Sequence, residues 1–252
     1  MISNYHTHTV RCHHASGEDR EYVETAIKAG YKILGFSDHC PWIYPNDFVS
    51  GIRMHASEVD GYFSSLEQLR DEYRDDIQLL IGFEAEYMPP LIEAQDDFLK
   101  NYPLDYMILG QHFVGKECNE NYAGNVTRDA SILHSYVDLC IEGMKSGRYR
   151  YLAHPDLVNY IGDDELYEKE MRRLCVAMKE MDAILEMNIL GISIVRNYPN
   201  RHFWRIAKEV GNRVIFGMDA HTPKGLTDEV SLEKARRLCQ GMKIVEKLEM
   251  EV

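Results

Sequence analysis

Short apolar runs alternate with amphipathic stretches along nearly the whole chain of 252 residues. Seven of the apolar runs have the length of buried strands, and they cover residues 2–6, 32–37, 77–83, 104–109, 150–153, 183–187 and 213–217. The stretches between them predict helices, among them one over 17–29 that begins after Ser16. Strands that alternate with helices indicate a parallel sheet covered by helices.

A single α/β domain over residues 1–252 is the simplest arrangement of these elements. The sequence contains no linker, composition break or low-complexity segment that would divide it. We therefore expect the seven strands to close, or nearly close, a barrel, with an open doubly wound sheet as the alternative. No GxGxxG or GxxxxGK[ST] loop follows a strand, so nucleotide-binding versions of such a sheet have no support.

The charge balance limits the partners of the chain. Lys and Arg number 28 against 41 Asp and Glu, which gives a formal net charge of −13 and disfavours nucleic acid and anionic membranes. No apolar run approaches the length of a membrane span, and the N-terminus lacks the pattern of a signal peptide. Six cysteines without CxxC spacing are typical of reduced thiols, so we expect a cytoplasmic protein.

Every predicted strand runs into a histidine or a carboxylate at its C-terminal end. The segments are Tyr5-His6-Thr7-His8, Ser37-Asp38-His39, Phe83-Glu84-Ala85-Glu86, Gly110-Gln111-His112, Ala153-His154-Pro155-Asp156, Glu186-Met187-Asn188 and Gly217-Met218-Asp219-Ala220-His221. The C-terminal ends of parallel strands meet on one face, where active sites form. A lone histidine there is more often an ordinary hydrogen-bonded residue. Seven histidines at strand ends, or in the loop after the first strand, together indicate a site for zinc, manganese or iron.

These residues together resemble the PHP (polymerase and histidinol phosphatase) superfamily, and within it the histidinol-phosphatase-like branch. The resemblance covers nearly the whole chain and also includes Cys12-His13-His14, His112-Phe113-Val114 and the segment that ends at Leu157. It implies a distorted (β/α)7 TIM-like barrel with three divalent ions at the C-terminal ends of the strands. The metal ligands that it implies are His6, His8, His14, His39, Glu84, His112, His154, Asp219 and His221. Glu84 is expected to bridge two ions, and the family spacing selects His14 rather than His13.

Clustered divalent ions predict phosphoester hydrolysis. Such ions lower the pKa of a bound water, and two of them can hold the attacking and leaving sides of a phosphoryl transfer. We expect in-line attack of a metal-bridging hydroxide on a small phosphate monoester, with L-histidinol phosphate as the first substrate to test. Glu84, Asp219 and Arg196 are the predicted catalytic residues.

Cations and further carboxylates are predicted to contact the substrate. Arg196 is the first candidate for binding the phosphate, and Arg53 and Lys116 are the second candidates. The carboxylates that are expected to orient ligand imidazoles or to contact substrate are Asp38, Asp156 and Glu186.

Two alternatives remain from the sequence. The same metal centre could act on phosphotyrosine, a nucleotide or the 3′ end of DNA, or the chain could be a non-catalytic metal-binding scaffold. The histidines outside the pattern are interpreted as surface or structural residues, and two cysteines near the site as bystanders. The histidines are His55, His134 and His202, and the cysteines are Cys12 and Cys40. The metal identities and the oligomeric state are left open.

Overall fold

A computed structural model describes residues 1–46, 48–115, 117 and 121–249. Within these residues the fold divides into two compact units. The first unit comprises 1–85, 89–107 and 218–228, and the second comprises 86–88, 108–217 and the described residues from 229 onward. Each unit combines strands with helices, so the α/β class predicted from the alternating pattern is confirmed.

The first unit is built on a sheet whose strand order follows the chain. Strands β1 (Ser3–Asn4), β2 (Ile33–His39) and β3 (Gln78–Ala85) pair in parallel, and β4 (Tyr106–Leu109), of which the first two residues belong to this unit, follows at the end of the sheet. The register places His39 directly opposite Glu84. Two of the predicted strand-end residues therefore become neighbours across the sheet.

Helices α1 (Asp19–Lys28), α2 (Val59–Glu72) and α3 (Ile92–Leu99) belong to the same unit. The α2 helix buries side chains at helical spacing, namely Val59, Tyr62, Phe63, Leu66 and Leu69. Full burial of each such side chain stabilises the fold by about 1.5–3 kcal/mol relative to leaving it exposed. The Tyr62 hydroxyl donates to the Gly82 carbonyl at 2.8 Å, which fixes the helix against β3.

The second unit contains three parallel strands and five helices among its described residues. The strands are β5 (Ile184–Asn188), β6 (Arg213–Gly217) and β7 (Lys243–Ile244). The helices are α4 (Ala130–Lys145), α5 (Asp164–Glu180), α6 (Ile189–Ser193), α7 (Arg201–Val210) and α8 (Glu229–Leu238). No helix of the described residues is long and apolar enough to cross a membrane.

The strands of the second unit differ from the prediction at two places. The run over 150–153 pairs only at Leu152, through isolated bridges to Leu109 and Leu185. The chain turns immediately afterwards, because His154 has a positive φ of 28°. A short strand, β7, pairs with β6 where the sequence pattern predicts none.

Candidate metal centre

The first unit gathers histidines and carboxylates at the ends of its strands. A parallel bridge between Thr7 and Ala220 aligns the two residues, and the His8 amide donates to the Ala220 carbonyl at 3.0 Å. This pairing places the His-x-His segment beside the Asp-x-His segment. The five innermost residues are at most 7% exposed, and they are His6, His8, His39, Glu84 and Asp219.

One carboxylate oxygen of Glu84 faces three imidazoles. Its Oε2 atom is 3.4 Å from His6 Nε2, 3.6 Å from His8 Nε2 and 3.0 Å from His39 Nδ1. The Oδ1 atom of Asp219 is likewise 3.4 Å from His6 Nε2 and 3.0 Å from His8 Nε2. The donor atoms of these five residues therefore converge on one small, buried volume.

His14 and His221 extend this set toward solvent. The Nδ1–H of His14 donates to the Cys12 carbonyl at 2.7 Å, and the Nδ1–H of His221 donates to the Asp219 carbonyl at 3.0 Å. These hydrogen bonds leave the lone pairs on the two Nε2 atoms, which are 3.0 Å apart. Two lone pairs at this distance are stable only with a cation shared between them. The pair therefore has the orientation that a metal ion requires.

A metal ion fits the chemistry of this donor set. Zinc bonds of about 2.0–2.2 Å hold ligand atoms a little over 3 Å apart, and the N–O gaps of 3.0–3.6 Å match that spacing. Several overlapping groups have donor atoms within 4.8 Å of one another, among them His6 with His8 and Asp219, His8 with His39 and Glu84, and His14 with His39 and His221. Nitrogen and oxygen donors of this kind suit zinc, manganese or iron.

Asp38 orients the centre without joining it. Its Oδ1 atom lies 3.4 Å from His8 Nδ1 and accepts the His39 amide at 2.8 Å. Its Oδ2 atom accepts the Thr9 amide at 3.1 Å and the Thr9 hydroxyl. A carboxylate that binds the outer nitrogen of a ligand imidazole fixes its tautomer and the direction of its lone pair. The predicted orienting role of Asp38 agrees with these contacts.

The charges in the centre compensate each other. Burial lowers the pKa of His8, but hydrogen bonds with Asp219 and Asp38 outweigh it and raise that pKa well above its usual value. Burial raises the pKa of Asp219, but the nearby histidines hold it well below its usual value. Burial, together with charge at His8, lowers the pKa of His221 to about 4. A positive charge is thus favoured between the carboxylates, where a bound ion would replace the proton.

The second unit brings His112 and His154 together, with ring centroids 4.9 Å apart. The His112 Nδ1 atom is 3.0 Å from Glu86 Oε1, so Glu86 orients an imidazole, a role that the sequence pattern did not assign to it. Glu186 is fully buried, and its Oε2 atom accepts the His154 amide at 3.1 Å and the Asn188 side-chain amide at 3.0 Å. These hydrogen bonds hold the backbone at His154.

The three predicted phosphate-binding cations have different environments. Arg53 is 2% exposed in the first unit, and its Nη1 atom donates to the Cys40 carbonyl at 3.0 Å. Arg196 is exposed in the second unit, three residues after the end of α6, where its backbone amide donates to the Gly191 carbonyl. Lys116 lies outside the described residues.

Cys12, interpreted from the sequence as a bystander, lies at the edge of the centre. Its sulfur and the nearest nitrogens of His8 and His221 lie within 4.8 Å of one another. Cys40 instead contacts the side-chain amide of Gln95 at 3.3 Å. No thiolate-rich spacing in the sequence distinguishes the two cysteines, so only the fold separates them.

Known proteins share both the sequence pattern and the fold. The family described as PHP domain matches residues 4–189. A protein of Deinococcus radiodurans named "probable histidinol-phosphatase" is 28% identical over 88% of this chain and 87% of its own length. The histidinol-phosphatase of Lactococcus lactis is 22% identical over 93% of this chain and 89% of its own length. A crystal structure of the Lactococcus lactis histidinol phosphate phosphatase, complexed with zinc, L-histidinol and phosphate, has a TM-score of 0.75 at 19% identity and covers 100% of this chain and 99% of that one.

Proposed function

Because this chain belongs to the PHP domain family, we propose that it is a metal-dependent phosphatase that hydrolyses a small phosphate monoester, with L-histidinol phosphate as its substrate. The observation that carries this proposal is the position of Glu84. One of its two carboxylate oxygens, Oε2, lies within 3.6 Å of three imidazole nitrogens. Such a donor set holds divalent ions, and a phosphate monoester offers oxygens that bind them directly.

The choice of substrate is supported by the relatives. The Deinococcus radiodurans protein carries the name of a histidinol-phosphatase, and the Lactococcus lactis structure contains zinc, L-histidinol and phosphate. This chain matches each of them over most of its length. The net charge of −13 disfavours long nucleic acids as substrates, but it does not exclude a small anion such as an amino alcohol phosphate.

The proposed reaction is in-line attack of water on phosphorus, with release of the alcohol and inorganic phosphate. Bound divalent ions would lower the pKa of the attacking water and neutralise the negative charge of the phosphoryl oxygens. Glu84 and Asp219 hold the imidazoles of the first unit in place, and Asp38 fixes the orientation of His8. Arg196, which is exposed, is the proposed contact for the phosphate, with Arg53 and Lys116 as further cations.

The finer assignments extend this proposal. We propose three ions per chain, drawn from zinc, manganese and iron, and we propose His112 and His154 as metal ligands within the second unit. The chain would then be one PHP-type domain over 1–252 with the distorted (β/α)7 barrel of the family. A cytoplasmic setting is supported by the five described cysteines, which are buried free thiols.

Phosphate release from a panel of monoesters tests the proposed function. Protein loaded with zinc or manganese is expected to release phosphate from L-histidinol phosphate with a higher kcat/KM than from phosphotyrosine, nucleotides or the 3′ end of single-stranded DNA. The variants Asp219→Asn and His8→Gln are expected to lose at least about a hundredfold in rate, because the first removes the negative charge of a carboxylate ligand and the second removes an imidazole ligand.

The control variant is His134→Gln, which changes an exposed histidine on α4 and is expected to keep the wild-type rate. A preference for phosphotyrosine or DNA over L-histidinol phosphate would overturn the substrate assignment, while the proposed metal-dependent phosphoester hydrolysis would stand. Folded, metal-loaded protein without activity on any of the esters would instead support the non-catalytic scaffold.

A further inference from the structure

Two histidines outside the metal centre lie side by side on the first unit. His13 follows a 3-10 turn over Val10–Cys12, and His55 precedes a second turn over Ala56–Glu58. Their ring centroids are 4.5 Å apart. The side chains of His13, His55 and Glu58 are 32%, 39% and 33% exposed, so an ion in solution can reach all three of them.

One carboxylate oxygen again faces two imidazoles. The Oε2 atom of Glu58 is 3.4 Å from His13 Nε2 and 3.9 Å from His55 Nδ1. Ligand atoms on a zinc ion are separated by a little over 3 Å. The first distance already fits, and a small rotation of a partly exposed side chain would close the second.

Hydrogen bonds hold the group in the orientation of a metal site. The Nε2–H of His55 donates to the Ser50 carbonyl at 3.0 Å, so the imidazole lone pair is on Nδ1, the nitrogen that faces Glu58. In the capping box of this turn the lone pair meets the Glu58 backbone amide, and a bound ion would replace that contact. A ligand histidine usually makes such a bond to a backbone carbonyl with its other nitrogen. The Glu58 carboxylate is positioned in turn by the His55 backbone amide, which donates to Oε2 at 2.8 Å.

We propose that His13, His55 and Glu58 form a peripheral site for one divalent transition-metal ion of the zinc class, with water completing its coordination. Two imidazoles and one carboxylate are a donor set that zinc accepts. The bound ion ties the segment next to His14 to the segment that leads into α2. It therefore stabilises the loop that carries an outer residue of the metal centre.

Zinc binding by the holoenzyme tests the proposal. The protein is first loaded at the metal centre and then dialysed against further Zn²⁺, and the bound metal is counted by elemental analysis. Wild-type protein is expected to take up one additional equivalent. The His55→Ala variant is expected to bind that equivalent at least about tenfold more weakly, and Glu58→Gln serves as a second, nearly isosteric variant. The matched control is His134→Ala, which removes an exposed histidine that faces a single carboxylate, Glu170, and should keep the equivalent.

Thermal unfolding gives an independent readout. Additional Zn²⁺ is expected to raise the Tm of the wild-type holoenzyme and to leave the Tm of His55→Ala unchanged, because an ion that binds only the folded state stabilises it. His55→Ala is also expected to retain the ions of the metal centre and the phosphatase rate, which separates this site from the proposed function. Equal uptake by wild type and His55→Ala, or no additional uptake by wild type, would overturn the proposal.

Discussion

The chemistry of the first unit depends on which nitrogen of each imidazole is fixed by a hydrogen bond. His14 and His221 give their Nδ1–H groups to backbone carbonyls, and His8 turns its Nδ1 atom to Asp38. Of the remaining nitrogens, the Nε2 atoms of His14 and His221 face each other, and the Nε2 atom of His8 faces the carboxylates of Glu84 and Asp219. At this scale the sequence predicts which residues meet, because strand ends converge. The partners that orient them depend on loop geometry that no spacing in the sequence encodes.

Asp38 provides the test of that orientation. The Asp38→Asn variant keeps the size of the side chain but removes its charge and one acceptor for the groups of His8, Thr9 and His39. Metal affinity is expected to fall by about 10–100-fold, since outer partners of ligand histidines contribute that much. Equilibrium dialysis with elemental analysis measures the change. Asp71→Asn, an exposed change on α2, is the control, and equal affinities in the two variants would contradict the role of Asp38.

Gly217 lies against the carboxylate that holds the backbone at His154. A Cβ atom at Gly217 would overlap the side chain of Glu186, which is fully buried. The Gly217→Ala variant is therefore expected to lower the free energy of unfolding by about 1–3 kcal/mol, as overpacking does in cores. Gly61→Ala, in open space within α2, is expected to raise it by about 0.5–1 kcal/mol. Urea unfolding measures both, and a stable Gly217→Ala protein would refute the overlap.

The elements begin and end where side chains satisfy their terminal groups. The helix predicted over 17–29 begins at Asp19, because Glu18 and Glu21 cap each other's backbone amides. The amide of Ser16, the residue predicted to precede the helix, donates instead to the His221 carbonyl at 2.9 Å. The apolar periodicity therefore predicts that a helix exists. Its first turn is set by the local capping pair of Glu18 and Glu21, which the apolar periodicity does not reveal. The reduction of the run at 150–153 to bridges at Leu152 depends instead on contacts with residues distant in sequence.

An ion network joins α5 to α7 and should respond to pH. Glu168 accepts hydrogen bonds from Arg172, His202 and Arg205. The hydrogen bonds with Arg172 and His202 lower the pKa of Glu168 from 4.5 to about 2. Because the pKa is lower in the folded state, the network's contribution to the free energy of unfolding is fully present above the pKa of the unfolded state. That contribution is lost as the pH falls from about 4.5 to about 2.

The Glu168→Gln variant removes this contribution. We expect it to unfold more easily than wild type at pH 7 by less than about 1 kcal/mol, because the network is on the surface and screened by solvent. The difference should shrink as the pH falls toward 2 and as salt is added. Denaturation across this pH range checks it, with Glu180→Gln, an exposed change on α5, as the control. A difference that is constant with pH would contradict the network's role.

For the whole molecule, net charge and local charge lead to different conclusions. The formal charge of −13 disfavours long anionic partners, but three divalent ions would add +6 and leave −13 + 6 = −7. That positive charge would be concentrated where a small phosphate ester must bind. The parallel α/β class follows from the alternation of apolar runs with amphipathic stretches, and the family follows from the residues at strand ends, so the sequence is sufficient to predict both. The division of the described residues into two units does not, because no composition break marks it.

Stepwise return of metal to the metal-free protein tests the central claim most directly. Zn²⁺ or Mn²⁺ is added in known equivalents, and phosphate release from L-histidinol phosphate is followed at each step. We predict a rate that rises from background and saturates at about three ions per chain, because the proposed centre needs all of its metal ions for activity. A folded protein that stays at background at every metal ratio, or is equally active without metal, would contradict the claim.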